Sequence, residues 1–339
     1  MLTIENLTIQ YDQTKVVDNL NLVLGSDEIL MLVGPTGCGK TSILRALAGL
    51  IPIENGSIQF GSWTATPKKT IPPEKRSLGM VFQDFALFPH LTVEQNINFR
   101  ISDKQLADHW INILRIDSLR NAKPDRLSGG QKQRVALART LAHQPKLILL
   151  DEPLSNLDAA LKDELRWEIR QALKSAGVPA VWVTHDQDEA LSVGDTVGVL
   201  REGKLEQLDT PKKCYSNPNN PFVARFLGEA SFLAGEKNAE TNMVTTLLGE
   251  TPAFENENVA NKVDLLIRPD DLIIKANEHG VGEVIWARYE GSSRLYAVKL
   301  DDESVVKARS PHENQIEPGT RVSLIINTHH PLAAFNKST

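Results

Sequence analysis

Three things are scarce in this 339-residue sequence, and each scarcity narrows its function. Long apolar runs are missing: nothing approaches the roughly 18 residues that a membrane-spanning helix needs. The run Leu147-Ile148-Leu149-Leu150 is far shorter and reads as a buried strand. Cysteine is nearly absent. Cys38 and Cys214 make no disulfide framework, which fits a reducing cytosol. Basic charge is not in excess either. With 37 Lys and Arg against 43 Asp and Glu, the net charge is -6, which argues against a nucleic-acid binder with a broad basic face. The opening Met1-Leu2-Thr3-Ile4-Glu5 has neither the basic region nor the apolar stretch of a signal peptide. Work at a membrane would require other subunits to hold the chain there.

What is present is ordinary globular composition, 41% hydrophobic and 24% charged, enough for two or three domains with their own cores. Residues 1–30 alternate in the β manner through Leu2, Ile4, Leu7 and Ile9, then Val16, Leu20, Leu22 and Leu24. An apolar strand over 29–33 runs into a Gly-rich turn, and a helix over 42–50 follows, the start of a βαβ-type unit. Residues 67–73 read as a loop and 80–83 as a short strand. Residues 84–145 are mainly helical in pattern. Short apolar strands at 146–150 and 180–184 suit a buried parallel sheet. Between them, Leu161, Leu165, Ile169 and Leu173 mark a helix over 159–175. The composition shifts near Phe232. Beyond it, β-like runs at 263–267, 272–275, 282–286, 294–300, 305–308 and 321–326 predict a small all-β, barrel-like domain. The expected division is therefore 1–231 and 232–339.

Gly34-Pro35-Thr36-Gly37-Cys38-Gly39-Lys40-Thr41 matches G-x-x-x-x-G-K-[ST], with a strand before it and a helix, from Ser42, after it. Glycines let such a backbone curl its N–H groups toward phosphates, and the helix start adds positive potential. Lys40 supplies a charge for the β- and γ-phosphates, and Thr41 a hydroxyl for Mg²⁺. Cys38 reads as a small space-filler. By itself the motif leaves GTPases, kinases, helicases and transporters open.

Leu127-Ser128-Gly129-Gly130-Gln131 opens a helix and forms a second phosphate-binding end. Asp151 and Glu152 follow a buried strand. Asp151 suits Mg²⁺ held through water, and Glu152 suits an attacking water. His185 ends the strand Val181-Trp182-Val183-Thr184; alone, such a His is more often structural.

Together these residues resemble the ABC-transporter ATPase family over about residues 1–230. Leu127 to Gln131 matches its signature. Val81-Phe82-Gln83-Asp84 is similar to its Q-loop and Thr184-His185-Asp186 to its switch His motif. Ser155-Asn156-Leu157-Asp158 is similar to its D-loop, with Asn156 where the family more often has Ala. The resemblance implies an α/β P-loop fold with a helical subdomain. It implies that Tyr11 stacks on adenine, that Thr41, Gln83 and Asp151 serve Mg²⁺, and that His185 contacts the γ-phosphate. It also implies a homodimer in which Ser128, Gly129, Gly130 and Gln131 complete the partner's ATP site. Residues 85–90 would grip an integral-membrane permease, at the cytoplasmic face of a bacterial inner membrane, with a solute-binding protein engaged indirectly.

Ile267-Arg268-Pro269-Asp270-Asp271 resembles the transport-associated β-domain of importer ATPases. Members of this shape serve ferric iron, sulfate, molybdate, polyamines and sugars. Pro72-Pro73-Glu74-Lys75-Arg76 and Phe226-Leu227-Gly228-Glu229-Ala230 lean toward the ferric-iron ATPases, so iron is the expected cargo. His329 and His330 read as a solvated terminus rather than a metal site. Soluble ABC ATPases of DNA repair or translation are the rival class. They usually carry two cassettes or long coiled coils, whereas this chain has one cassette and no sustained heptads. A small-ligand or partner-sensing role for the β-domain is compatible with transport.

Overall fold

The computed structural model describes residues 1–101, 103–238, 241–254 and 261–337. It divides into two compact units, Met1–Pro211 and Lys212–Thr339. The division falls ahead of the 231/232 boundary read from composition, because two short helices associate with the β-rich unit.

In the first unit, β1 (Leu2–Tyr11) and β2 (Thr14–Leu24) form a hairpin in register Leu2↔Leu24, Ile4↔Leu22 and Leu7↔Leu20. Their alternation buries one set of aliphatic side chains against α1 and the second sheet. β3 is Ile29–Val33, fully buried, and α1 is Lys40–Ala48. β4 (Asn55–Phe60) and β5 (Trp63–Ala65) complete a sheet ordered β2-β1-β4-β5. α1 ends on Gly49 at φ 77, whose N–H returns to Arg45 and Ala46. The buried Arg76 donates to the last carbonyls, Ala46 O and Leu47 O, both at 2.7 Å.

A second sheet supplies the site. β6 is Leu78–Val81, β7 Leu147–Asp151, β8 Ala180–Thr184, β9 Thr196–Arg201 and β10 Lys204–Asp209. Their order is β10-β9-β3-β8-β7-β6, parallel except for β10. β3, β7 and β8 are buried throughout, so they read as unbroken apolar runs. Register pairs Val33 with Thr184, and Asp151 with Val183. The segments after Val33, Asp151 and Thr184 therefore leave the sheet side by side at its carboxyl edge, where open parallel sheets place their ligands.

Within residues 84–145 the described elements are α2 (Val93–Ile97), α3 (Lys104–Ile113) and α4 (Gly129–Ala142), with short 3₁₀ turns and loops between them. α5 (Ala159–Ala176) and α6 (Gln187–Val193) flank β8 in sequence.

The second unit contains α7 (from Pro211–Ser216) and α8 (Pro221–Phe226). Its strands are β11 (Ser231–Lys237), β12 (Met243–Thr246), β13 (Gly249–Pro252), β14 (Lys262–Ile267), β15 (Leu272–Ala276), β16 (Gly282–Tyr289), β17 (Ser293–Leu300), β18 (Val305–Pro311), β19 (Arg321–Ile326) and β20 (Ala334–Asn336). They pair as two five-stranded sheets, β13-β12-β11-β14-β20 and β15-β19-β16-β17-β18, over one core that includes Leu233, Leu265, Tyr296, Val298 and Leu324. The six runs read from sequence are six of these strands. β11, β12, β13 and β20 are additional.

Candidate nucleotide site

The phosphate loop leaves β3 at Gly34 and enters α1 at Lys40. At two of its three glycines a side chain would not fit. A Cβ on Gly34 would lie 2.2 Å from Leu200 O and 2.7 Å from Cys38 Sγ. On Gly39, at φ 101, it would lie 2.4 Å from Val16 O. Gly37, at φ 83, faces open space, and Pro35 and Thr36 beside it are exposed. The turn closes through Cys38 N–H donating to Pro35 O at 3.3 Å. Lys40 is 5% exposed, and its Nζ donates to Gly34 O (2.7 Å) and Pro35 O (3.0 Å). The ammonium is thus held against the loop's own backbone. Cys38 packs inside the loop with Sγ 3.7 Å from Lys40 Nζ, and burial pushes its thiol pKa up despite that cation.

Thr41 Oγ1 donates to Asp151 Oδ1 at 3.2 Å, so the first turn of α1 and the end of β7 meet. A hydroxyl beside a carboxylate is a hard-oxygen pair of the kind Mg²⁺ selects, so these residues fit the expected cation. Burial raises the Asp151 pKa above the usual carboxylate range, opposed by the Thr41 hydrogen bond. Ser42 follows within α1, half-buried.

Glu152 stands one residue further on, at φ 44. Its N–H donates to Val183 O at 3.0 Å, and its carbonyl accepts from Ser155 N–H and Oγ–H. Those three bonds stabilise a backbone geometry that a non-glycine residue rarely adopts. The turn carries the carboxylate to the next strand, where Glu152 Oε2 lies 3.1 Å from His185 Nδ1. The two candidate catalytic side chains are therefore in contact, although 33 residues separate them in sequence.

The remaining candidates are placed separately. Gln83 enters this region through its backbone: its carbonyl accepts from Asn156 Nδ2 at 3.1 Å, joining the segment after β6 to the segment before α5. Tyr11 ends β1 and is 43% exposed. Ser128 caps α4 in a reciprocal box, its Oγ accepting from Gln131 N–H (3.3 Å) while Gln131 Oε1 accepts from Ser128 N–H (3.0 Å). A Cβ on Gly129 would strike Leu157 Cδ2 at 2.5 Å, and one on Gly130 would strike Leu161 Cδ2 at 2.8 Å. Among the described residues, neither Tyr11 nor residues 127–131 hydrogen-bond to residues 34–42 of the same chain.

Residues 85–90 are half-buried to exposed. Phe85 and Ala86 both have positive φ (65 and 45), and Arg139 holds their carbonyls at 3.2 and 2.7 Å. Phe88 packs on Phe99 with centroids 4.5 Å apart, and Asn96 bonds to its N–H and carbonyl. Sequence reading missed Arg139, Asn96 and Arg166. Each lies on a helix where one polar side chain looks like any solvated one. In the second unit His330 Nε2 is 3.9 Å from Asp271 Oδ1. Among the described residues no cluster of three or more His, Cys, Asp or Glu could hold a metal, and no helix is long and apolar enough to cross a membrane.

Residues 17–155 match the ABC transporter family and residues 265–333 the TOBE domain. The chain is 39% identical to a Fe(3+) ions import ATP-binding protein, FbpC, of Fusobacterium nucleatum, over 82% of this chain and 76% of that one. It is 37% identical to a spermidine/putrescine import ATP-binding protein, PotA, of Pseudomonas fluorescens, covering 93% and 91%. Among solved structures it resembles the dimeric, post-hydrolysis ATP-binding cassette MJ0796 bound to ADP and Pi. That match has a TM-score of 0.55 and 28% identity, over 62% of this chain and 99% of that one. A phosphate loop on β3, carboxylates after β7, a His after β8 and a capped Leu-Ser-Gly-Gly-Gln helix thus sit in a chain whose relatives extend nearly its full length, and it belongs to the ABC-transporter ATPases that carry a C-terminal TOBE domain.

Proposed function

We propose that two copies bind two ATP molecules head to tail, each held by residues 34–41 of one copy and Ser128 to Gln131 of the other, and that hydrolysis energises solute import. The observation that carries this reading is the pair of contacts at adjacent strand ends, Thr41–Asp151 at 3.2 Å and Glu152–His185 at 3.1 Å. Lys40 and the loop backbone hold the phosphates. Thr41, Gln83 and Asp151 would hold Mg²⁺, which when bound neutralises phosphate charge. Glu152 polarises a water whose oxygen attacks the γ-phosphorus as its bond to the β–γ bridging oxygen breaks and ADP leaves, and His185, touching Glu152, contacts the γ-phosphate. Tyr11 stacks on the adenine. The signature helix is the half-site a single copy lacks, which agrees with its having no hydrogen bond to residues 34–42 among the described residues.

For the cargo, the relatives shift the reading that sequence favoured. Proteins named for spermidine/putrescine import match along 91% and 93% of the chain, at 36% and 37% identity. The ferric-iron protein matches along 82% at 39%. We therefore place a polyamine ahead of ferric iron and keep iron as the second reading. Uptake in a deletion strain decides. Loss of labelled putrescine and spermidine uptake, restored by this chain and not by Lys40→Ala, supports the first. Loss of ferric-iron uptake alone supports the second. Unchanged uptake of both refutes each.

A further inference from the structure

A half-buried charge cluster adjoins His185. Asp186, the next residue, caps α6, its Oδ1 accepting from Asp188 and Glu189 N–H at 2.9 and 3.1 Å. Its other oxygen, Oδ2, accepts from Arg166 NH2 on α5 at 2.9 Å, with Lys162 Nζ at 3.9 Å. Asp186 N–H donates to Thr184 Oγ1 at 3.0 Å. Thr184 and Glu189 are both 2% exposed, and their side chains interact. His185 is therefore flanked on both sides by fixed residues while its own ring stays 54% exposed. Arg166 is the outside support, with only 13% of its side chain exposed. The helix that carries it also backs the signature segment, where Gly130 lies against Leu161 and Leu165.

We propose that Arg166 is a positioning residue for hydrolysis. Its guanidinium sets Asp186, and Asp186 sets the imidazole of His185 against Glu152. Because α5 also supports Gly130, the orientation of His185 follows the helix against which this copy's signature segment rests. In the head-to-tail arrangement proposed above, on which this last step depends, that segment serves the opposite ATP site. Side chains that act only by orienting a reacting group change turnover more than ground-state binding.

The test compares Arg166→Met, Arg166→Lys, Asp186→Asn and the Met/Asn double variant for kcat and for KM of MgATP. Asn keeps the helix cap and removes the charge. Each charge-removing single change should lower kcat about tenfold with KM within about twofold. The double variant should be no worse than either single, because one interaction is lost once. Arg166→Lys should recover most of kcat. Wild-type kcat in Arg166→Met or Asp186→Asn overturns the proposal, as do losses that multiply in the double variant or a rise in KM that accounts for the defect. Should Arg166→Met fail to fold, Asp186→Asn alone carries the decision. ATP-dependent dimerisation of Glu152→Gln is measured in parallel. Its failure sinks the shared-site arrangement and leaves the kcat comparison to judge Arg166.

Discussion

Replacing Gly39 with alanine tests whether the phosphate loop is shaped by close packing rather than by flexibility. Gly39 sits at φ 101, and an added Cβ would lie 2.4 Å from Val16 O and 2.9 Å from Val17 Cγ2. Val16 and Val17 belong to β2, so the clash is with strand backbone and a fully buried side chain. Two costs combine. A non-glycine residue in the left-handed region costs about 1–2 kcal/mol, and overpacking costs about 1–3 kcal/mol. The sum is about 2–5 kcal/mol, a large part of the roughly 5–15 kcal/mol that holds a domain folded. Gly37 is the internal control. It has φ 83 but nothing within 4 Å of an added Cβ, so Gly37→Ala carries only the backbone cost of about 1–2 kcal/mol. Urea unfolding followed by tryptophan fluorescence suits the comparison, because four of the five tryptophans (63, 110, 167 and 182) lie in the first unit. With a urea slope of about 1–3 kcal/mol per molar, the Gly39→Ala midpoint should fall about 1 M below that of Gly37→Ala. MgATP should stabilise wild type and Gly37→Ala but not Gly39→Ala. Equal midpoints for the two variants, or full ATP stabilisation of Gly39→Ala, would refute the packing argument.

Other outcomes follow from single contacts. Burial raises the Glu189 pKa above 4.5, so at higher pH the unfolded chain releases this proton more readily than the folded one. Glu189→Gln should therefore raise the melting temperature at pH 7–8 and leave it nearly unchanged near pH 4. Arg268 is 5% exposed and donates to the carbonyls of Tyr215, Ala224, Gly228 and Glu229. Arg268→Met should destabilise the second unit by about 3–5 kcal/mol in calorimetry, since it strands several buried acceptors. Tyr11→Ala should raise KM for ATP with kcat little changed, the pattern of a residue that binds without acting on the reaction.

The parts of the fold that the sequence declared were those with one dominant physical signal. β3, β7 and β8 are buried on both faces, so Ile29–Val33, Leu147–Asp151 and Ala180–Thr184 read as plain apolar runs. α5 showed itself through Leu161, Leu165, Ile169 and Leu173 at spacing four. The β9–β10 hairpin did not, because β10 mixes Lys204, Glu206, Gln207 and Asp209 with two leucines. β12 and β13 are four-residue strands joined by a tight turn, too short for a period to register. In the site, the motifs located each group but not its partner. The Glu152–His185 contact depends on β7 and β8 being neighbours, which spacing does not encode. Asn156, a departure from the family pattern at the level of sequence, proves to donate to Gln83 O. Arg166 carried no signal, because a helical arginine near Asp163 reads as an exposed pair until α6 is laid against it.

The shared site is tested most directly by weighing Glu152→Gln in solution with MgATP. Light scattering should show a species of twice 37.5 kDa with two ATP bound. Adding Ser128→Ala should return it to the monomer although residues 34–41 are intact. A monomer that binds one ATP at full affinity, indifferent to Ser128, would contradict the account.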